Sequence, residues 1–265
     1  MDILEEIVAY KRIEVELQKQ QQPPSVLYRQ VEDIIADGKQ QPRSMRKSLA
    51  ASKSGIIAEF KRKSPSKGWI KEDGRAEVVP ESYSQNGASA ISILTDEKYF
   101  GGKPEFVVTA RPLVQCPILR KDFIIDEYQL FHARAIGADA VLLIAADLSC
   151  KECSALAHKA HELGLETLLE VHSDSELDHV GDNIDMVGVN NRHLGTFHTD
   201  VQTSYLLAEQ LPKEYLLVSE SGISDPATVR ELRQAGYRGF LIGETFMKTP
   251  NPGETLRRFI EEVER

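Results

Sequence analysis

The chain has 265 residues, of which 41% are hydrophobic and 28% charged, and its net charge at pH 7 is −9. A chain of this length and composition can bury most of its apolar surface in one core, which excludes wholesale disorder. Its 3 cysteines exclude a disulfide-built scaffold, its acidic balance argues against a nucleic acid partner, and its short apolar runs argue against a membrane span. We therefore expect a cytoplasmic protein without a signal peptide, with neither nucleic acid nor membrane as a partner.

The first 45 residues differ from the rest and predict a pair of helices. One apolar stripe recurs at steps of three and four residues, at Ile3, Ile7, Tyr10, Ile13 and Leu17. The tract KQQQPP (Lys19–Pro24) ends this helix because proline cannot continue it, and a shorter amphipathic segment follows at Val26–Ala36. We expect residues 1–45 to form a helical extension packed on a main domain of residues 46–265.

Short apolar runs recur throughout the main domain and predict parallel strands that are covered on both faces. There are eight: Ile56–Phe60, Ala90–Leu94, Pro117–Leu119, Ala140–Ala145, Thr167–Val171, Met186–Val189, Leu216–Ser219 and Gly239–Ile242. Helical periodicity lies between them. Eight strand-helix units predict an α/β fold, a (β/α)8 TIM barrel. A doubly wound sheet is disfavoured because KRKSPSKG, and no GxGxxG, follows the first strand.

Helix boundary signals support this division of the chain. Predicted N-terminal caps stand at Asp126 with Gln129, Ser173 with Glu176, Asp225-Pro226 and Asn251-Pro252. Glycines at 137, 164 and 236 fall where helices are expected to end.

The predicted strands end in polar residues, and in a barrel of this type the active residues lie at those ends. The candidates are Glu59, Lys61, Lys121, Glu170, Asn190 and Glu220. Because strand side chains alternate, Glu59 and Lys61 share a face. Lysines and carboxylates gathered in a low-dielectric cup shift each other's pKa, as general acid-base catalysis requires. A purely structural ring of salt bridges is the alternative.

Two further signals indicate an anionic ligand. Ser221-Gly222 and Gly243-Glu244 follow strands 7 and 8, the usual position for phosphate in these barrels, although tight turns alone would also explain the glycines. A basic run in a predicted loop would attract a polyanion to the barrel mouth: Lys61, Arg62, Lys63, Lys67 and Lys71.

The CxxC pair Cys150 and Cys153, with histidines downstream, suggests a zinc or redox site. However, Ser149 and Glu152 form a capping box, and the histidine spacing is too short for a zinc finger. We favour packing at a helix start and expect no metal site.

Six blocks resemble the indole-3-glycerol phosphate synthase family, in the family's order and spacing. They are IIAEFKRKSPSKG (Ile56–Gly68), PILRKDF (Pro117–Phe123), LLEVH (Leu168–His172), VGVNNRHL (Val187–Leu194), VSESGI (Val218–Ile223) and LIGETFM (Leu241–Met247). The resemblance implies a (β/α)8 barrel with an N-terminal helical extension. It also implies ring closure of 1-(2-carboxyphenylamino)-1-deoxyribulose 5-phosphate with loss of carbon dioxide and water. The family uses no cofactor.

The resemblance also implies roles for single residues. Lys121 matches the general acid and Glu170 its proton-transferring partner, while Lys61 would bind the substrate carboxylate. Glu59 and Glu220 would position the two lysines and Asn190. The other implied contacts are Asn190 and Arg192 on the anthranilate, Phe123 on its ring, and Ser64, Ser221, Gly222, Gly243 and Glu244 around the phosphate.

Other functions remain open at this stage. One is another phosphate-binding barrel, either an isomerase or a Schiff-base lyase that uses Lys121. A second is a barrel that binds its ligand without turnover. We expect a small anionic phosphorylated substrate as the partner, and a monomer or weak homodimer.

Overall fold

A computed structural model describes residues 3–193 and 198–265. Its strands are β1 (Ile56–Phe60), β2 (Lys63–Ser64), β3 (Gly68–Trp69), β4 (Ala90–Leu94), β5 (Ile118–Lys121), β6 (Ala140–Ile144), β7 (Glu166–Val171), β8 (Met186–Asn190), β9 (Leu216–Glu220) and β10 (Gly239–Ile242). Leu194, the last residue of the VGVNNRHL block, lies outside the described residues, as do the first two residues of the predicted extension.

Helices alternate with these strands. They are α1 (Ile3–Gln21), α2 (Pro24–Asp37), α3 (Met45–Ala51), α4 (Val79–Gln85), α5 (Pro104–Ala110), α6 (Glu127–Ala135), α7 (Cys150–Glu162), α8 (Gln202–Ala208), α9 (Pro226–Gln234), α10 (Glu244–Met247) and α11 (Pro252–Val263). Short 3-10 helices span Arg111–Leu113, Ala145–Asp147 and Asp174–His179. Among the described helices, none is both long and apolar enough to cross a membrane.

Eight strands close into one parallel barrel in the order β1-β10-β9-β8-β7-β6-β5-β4, with β1 paired to both β10 and β4. The predicted (β/α)8 barrel is therefore confirmed. Three strands, β5, β8 and β9, extend beyond their predicted runs to Lys121, Asn190 and Glu220. Apolar patterning ends these strands too early because their last residues are polar.

The core has two parts, one inside the barrel and one between the barrel and its helices. Alternate strand residues such as Ile57, Leu119, Leu168 and Val218 fill the inside, and Met45 and Leu49 of α3 join this cluster. The larger cluster packs the outer strand faces against the surrounding helices. The inside positions fix which residues further along each strand face the barrel mouth.

Most predicted caps are confirmed. Asp126 with Gln129 and Ser149 with Glu152 form complete capping boxes, and Asp225 and Asn251 accept hydrogen bonds from the first turns of α9 and α11. The box at Ser173 is wrong, because Ser173 caps no backbone group and Glu176 instead accepts a hydrogen bond of 2.7 Å from the backbone N–H of His172.

The predicted apolar stripe of α1 is only partly confirmed, since Ile7 is buried but the residues of the stripe that follow it are not. Tyr10, Ile13 and Leu17 are exposed, at 37%, 58% and 51%. The buried face of the helix instead carries Leu4, Ile7, Lys11 and Val15. The helix is rotated away from its apolar stripe because the buried ammonium of Lys11 binds carboxylates of the barrel.

The CxxC pair lies at the start of α7. Cys153 is fully buried in the outer core and Cys150 is exposed, so packing of the helix start accounts for the buried member. Within residues 3–193 and 198–265, no group of three or more histidine, cysteine or acidic side chains could hold a metal ion.

Candidate active site

The carboxyl ends of the barrel strands carry a ring of ionisable side chains. Each ring residue lies two positions beyond an inward-facing core residue, so Glu59 follows Ile57, Lys121 follows Leu119, Glu170 follows Leu168 and Glu220 follows Val218. Strand alternation therefore aims all four side chains into the barrel mouth. The convergence expected from the sequence is present.

Lys121 is the centre of this ring. Its Nζ lies 2.9 Å from Glu220 Oε2 and 3.7 Å from both Glu59 Oε2 and Glu170 Oε2. Only 17% of the lysine side chain is exposed, and the three carboxylates are almost completely buried. Three strands, β1, β7 and β9, thus deliver carboxylates to one ammonium on β5.

The charges determine the protonation states. Burial disfavours the Lys121 ammonium, but Glu220, Glu59 and Glu170 outweigh burial and raise the lysine pKa above its ordinary value. Burial also opposes ionisation of Glu170, yet His172 and Lys121 lower its pKa. For Glu220, burial and the Glu170 charge prevail over Lys121 and raise the pKa. The ring therefore holds a charged lysine, an ionised Glu170 and a carboxyl that protonates readily.

Glu59 joins the two candidate lysines. Its Oε1 lies 2.5 Å from Lys61 Nζ while Oε2 faces Lys121. Burial raises the pKa of Glu59, but Lys61 and Lys121 outweigh burial and lower it. Glu59 therefore stays ionised and can position both ammonium groups.

Two glycines make room for these carboxylates. A Cβ built on Gly243 would lie 2.3 Å from Glu59 Oε1, and a Cβ built on Gly188 would lie 2.3 Å from Glu220 Oε1. A Cβ does not come this close to an atom to which it is not bonded. Any larger residue at either position must therefore displace the carboxylate beside it.

The strand β8 side of the mouth contributes amide and guanidinium groups. Asn190 pairs in register with Glu220, and its Oδ1 accepts a hydrogen bond of 3.1 Å from the backbone N–H of Arg192. Arg192 Nη1 donates to Ser66 Oγ at 2.9 Å. This bond crosses the mouth, because Ser66 lies in the loop between β2 and β3.

A pocket lies above the ring and has one apolar side. Phe123 and Phe100 pack there with ring centroids 6.0 Å apart. Helix α1 adds Ile3, Leu4 and Ile7 to the same lining. Of the predicted residues, the pocket lining includes Glu59, Lys61, Ser64, Lys121, Phe123, Glu170, Asn190, Arg192 and Ser221.

A second, more polar depression adjoins the first on the β9 and β10 side. Ser221, with a left-handed φ of 65°, and Gly222, with φ of 75°, turn the chain sharply after β9. Gly243 and Glu244 complete this side, and Lys67 and Lys248 contribute ammonium groups. Glu244 is bound to Lys67, with Oε1 2.6 Å from Nζ. Arg192 and Lys121 line both depressions.

The structure places the thirteen predicted site residues around these two depressions, with Glu220 behind the first and bonded to Lys121. The basic run is only partly confirmed. Lys61 and Lys67 face the mouth, but Lys63 donates to the carbonyl of Lys98, Lys71 to the carbonyl of Thr249, and Arg62 lies over the Trp69 ring.

The sequence reasoning missed several residues of the site. Leu142 and Ile144 line the apolar side, and their spacing of two residues within an apolar strand could have indicated it. Phe100 lies on a loop and carries no signal that separates it from any other aromatic residue. The reasoning also gave no role to His172, which follows Glu170 by two residues.

Comparison with known proteins identifies the family. A family model described as indole-3-glycerol phosphate synthase matches residues 4–259. The indole-3-glycerol phosphate synthase of Bacteroides thetaiotaomicron is 60% identical over 263 residues, covering 99% of each chain. Those of Polynucleobacter asymbioticus and Azoarcus sp. are 41% and 42% identical, covering 96% and 97% of this chain and 97% and 98% of their own.

The chain belongs to the indole-3-glycerol phosphate synthase family. As a member of that family it is a carboxy-lyase of tryptophan biosynthesis, which closes the indole ring of 1-(2-carboxyphenylamino)-1-deoxyribulose 5-phosphate with loss of carbon dioxide and water. The alternatives of an isomerase, a Schiff-base lyase or an inactive barrel are not needed to explain the site.

Solved structures outside the indole-3-glycerol phosphate synthase family share the barrel. Thiamine phosphate pyrophosphorylase from Pyrococcus furiosus has a TM-score of 0.60 at 19% identity, covering 83% of this chain and 99% of its own. 3-Hexulose-6-phosphate synthase from Salmonella typhimurium has a TM-score of 0.62 at 13% identity, covering 79% and 98%. At such low identities these similarities concern the fold alone.

Proposed function

We propose that Lys121 is the general acid that drives ring closure. The observation that supports this role is its ammonium, held within 4 Å of three buried carboxylates at the closed end of the pocket. An ammonium so stabilised is a weak acid toward water. It becomes an effective donor when a strongly basic alkoxide forms next to it, so its proton moves in the transition state and not before.

The bonds change in three stages. The ring carbon that bears the carboxylate attacks the ketone carbon, and the ketone oxygen takes the Lys121 proton. Carbon dioxide then leaves, and its bonding electrons restore the aromatic ring. Finally Lys61, released from the departed carboxylate, gives a second proton to the new hydroxyl, which leaves as water, while Glu170 accepts a proton from the ring carbon next to nitrogen. Solvent supplies the one proton that the whole cycle consumes. The lowered pKa of Glu170 keeps its carboxylate ionised at neutral pH, so the group is free to accept that proton.

We assign the anthranilate part of the substrate to the first depression. Phe123 would pack against its ring, on the side where the lining is apolar. Lys61 would bind the carboxylate, and Asn190 and Arg192 would orient it. These contacts hold the reacting carbon near the ketone, and such positioning lowers the entropic part of the barrier.

We assign the phosphate to the second depression. The backbone N–H groups around Gly222 and Gly243 and the hydroxyl of Ser221 are suitable donors for a phosphate oxygen. Ser64, which lines the first depression, would add its hydroxyl from the side where the two depressions adjoin. Lys67 and Lys248 add positive charge. Glu244 would contribute through its backbone, because its side chain is engaged by Lys67.

The substitution Lys121→Met tests the assignment. Indole emission is followed after substrate is added to chelator-treated protein, so that turnover is measured without divalent metals. Loss of one positioned acid is expected to lower kcat by roughly 10²–10⁴-fold, while binding of the product indole-3-glycerol phosphate is retained. Lys39→Met, at a side chain 81% exposed, is the matched control. Turnover within a few-fold of normal for Lys121→Met would remove Lys121 from the acid role.

We also propose that one chain suffices for activity and works in the cytoplasm. All the groups named above come from a single chain, which supports function as a monomer or weak homodimer. A trianionic phosphorylated substrate does not cross a bilayer unaided, which supports an intracellular site of action. The first proposal is tested by diluting the protein until sedimentation shows that any dimer has dissociated. The specific activity should stay constant across that range. Cell fractionation tests the second.

A further inference from the structure

His172 lies between two carboxylates directly after β7, two residues beyond Glu170. Its Nε2 is 3.2 Å from Glu170 Oε1 and its Nδ1 is 3.2 Å from Glu176 Oε2, while only 10% of the side chain is exposed. Glu176 also accepts a hydrogen bond from the backbone N–H of His172 at 2.7 Å. The loop after β7 is therefore folded so that each ring nitrogen of His172 faces a carboxylate.

This arrangement determines the charge of the imidazole. A neutral ring has an N–H on one nitrogen and a lone pair on the other. That lone pair would lie against a carboxylate oxygen and would be repelled by it. Carboxylate oxygens 3.2 Å from both ring nitrogens favour the ring that carries two N–H groups and a positive charge, which attracts both; the contact with Glu176 is a hydrogen bond and the contact with Glu170 is an ion pair. Burial lowers the pKa of His172, but Glu170 and Glu176 outweigh burial and raise it to about 10.

The cation faces a crowded group of acids. Lys121 is 3.7 Å from Glu170 but is closer to Glu220, at 2.9 Å. Glu59 and Glu220 oppose ionisation of Glu170, as does Asp147, whose own pKa is raised to about 7 by burial and by Glu170. Asn190 also donates a hydrogen bond to Glu170. His172 thus supplies the nearest full positive charge to the Glu170 carboxylate.

We propose that His172, held as an imidazolium by Glu176, is a positioning residue that keeps Glu170 ionised and aimed at the substrate. This inference rests on the proposed function, in which Glu170 accepts a proton during dehydration. It assigns His172 no contact with the substrate. Its effect on the reaction is transmitted through the charge and orientation of Glu170.

The substitution His172→Gln tests the proposal because it keeps a hydrogen-bonding side chain but removes the charge. We expect the acid limb of the kcat profile, which reports the lowered pKa of Glu170, to move upward by about one pH unit or more, so that kcat falls most at acid pH and recovers as the pH rises. KM should stay within twofold. Glu176→Gln should move the limb in the same direction by a smaller amount. His158→Gln, which removes an exposed histidine paired with Glu162 on α7, is the matched control.

The outcomes separate a local electrostatic role from a structural one. An unmoved acid limb in His172→Gln, with kcat lowered equally at all pH values, would overturn the proposal. If His172→Gln does not fold, the shift in Glu176→Gln decides in its place. Glu170→Gln distinguishes the two proposals: retained turnover in that variant would contradict the assigned role of Glu170, whereas an inactive Glu170→Gln beside an unmoved limb in His172→Gln would contradict only the role of His172.

Discussion

The ammonium of Lys11 lies 2.9 Å from Oδ1 of Asp122, the residue that directly follows Lys121 in the chain. Lys11 also binds Asp96 at 3.0 Å, and both carboxylates are completely buried. Asp122 in turn accepts a hydrogen bond of 2.9 Å from the backbone N–H of Phe123. One buried lysine thus attaches α1 to the loops on either side of the active-site pocket.

The substitution Lys11→Met should remove the ammonium that Asp96 and Asp122 share, and leave Asp122 only with Arg120, at 3.0 Å. Breaking a buried ion pair in this way typically costs about 3–5 kcal/mol, so we expect a loss of stability of that size and a raised KM, because α1 also brings Ile3 to the pocket. Urea unfolding and steady-state kinetics measure the two effects. Lys19→Met, on the same helix but more exposed, should cost far less. Equal losses in the two variants would contradict the role given to Lys11.

The same cluster predicts a dependence of stability on pH. Burial raises the pKa of Asp122, but Lys11 and Arg120 outweigh burial and hold it below its ordinary value. A carboxyl with a lowered pKa stabilises the folded state above its unfolded pKa of about 3.9 and loses that contribution as the pH falls toward the folded value. The stability difference between the original chain and Lys11→Met should therefore shrink below about pH 4. A difference that stays constant down to acid unfolding would contradict this.

Gly188→Ala should impair catalysis although it removes no ionisable group. The new methyl would meet Glu220 Oε1 at 2.3 Å and push that carboxylate away from Lys121. A displacement of about 1 Å at a reacting group can cost about 10²-fold, so we expect kcat to fall by an amount of that order. The matched control is Gly181→Ala, since a Cβ there meets nothing within 4 Å. Normal kcat in Gly188→Ala would show that the position of Glu220 is unimportant.

Binding of the product should be accompanied by proton uptake. Burial and Glu170 already raise the pKa of Glu220, and an anion bound nearby raises it further. We expect the binding enthalpy of indole-3-glycerol phosphate at pH 7 to differ between PIPES and Tris buffers, neither of which carries phosphate, in proportion to the protons transferred and to the difference in buffer ionisation heat. Glu220→Gln should reduce that difference. Identical proton uptake in Glu220→Gln would assign it to another group.

Lys67→Ala should weaken binding at the phosphate end. The substitution removes a cation and releases Glu244, whose free carboxylate would then repel the phosphate. Charge-assisted hydrogen bonds contribute roughly 1.5–3 kcal/mol, so we expect KM to rise by at least about tenfold with a smaller change in kcat. Lys63→Ala serves as the control, because Lys63 donates to the carbonyl of Lys98 and faces away from the mouth. Similar KM values in the two variants would place the phosphate elsewhere.

Strand alternation was sufficient to predict the ring around Lys121. Inward parity follows from sequence spacing alone once the strands are located, so Glu59, Glu170 and Glu220 could be placed with no tertiary information. The strand ends were harder to locate, because hydrophobicity stops at the residues that matter for chemistry. Thus the apolar run of β5 ends at Leu119, two residues before its functional lysine, although the strand itself reaches Lys121.

The failures have a common physical cause in buried charge. Hydrophobic patterning predicts that Ile13 and Leu17 lie on the buried face of α1, yet both are exposed. The orientation of the helix is determined instead by the ion pairs of Lys11 with Asp96 and Asp122. The capping box predicted for Glu176 fails because that carboxylate binds His172 instead of Ser173. For α1 the deciding partners lie far along the chain, where local patterns do not record them, whereas for Glu176 the deciding partner is the histidine one residue before the predicted cap.

The seam between β1 and β10 has a consequence for how the enzyme matures on the ribosome. Lys121 and Glu59 are synthesised well before Glu220, and the barrel closes only when β10 reaches β1. Until then, burying the lysine would leave its charge without its nearest partner, which is unfavourable, so the mouth must stay hydrated. The four ring charges therefore face one another only in the closed barrel, so dehydration of the active site is coupled to closure between β10 and β1.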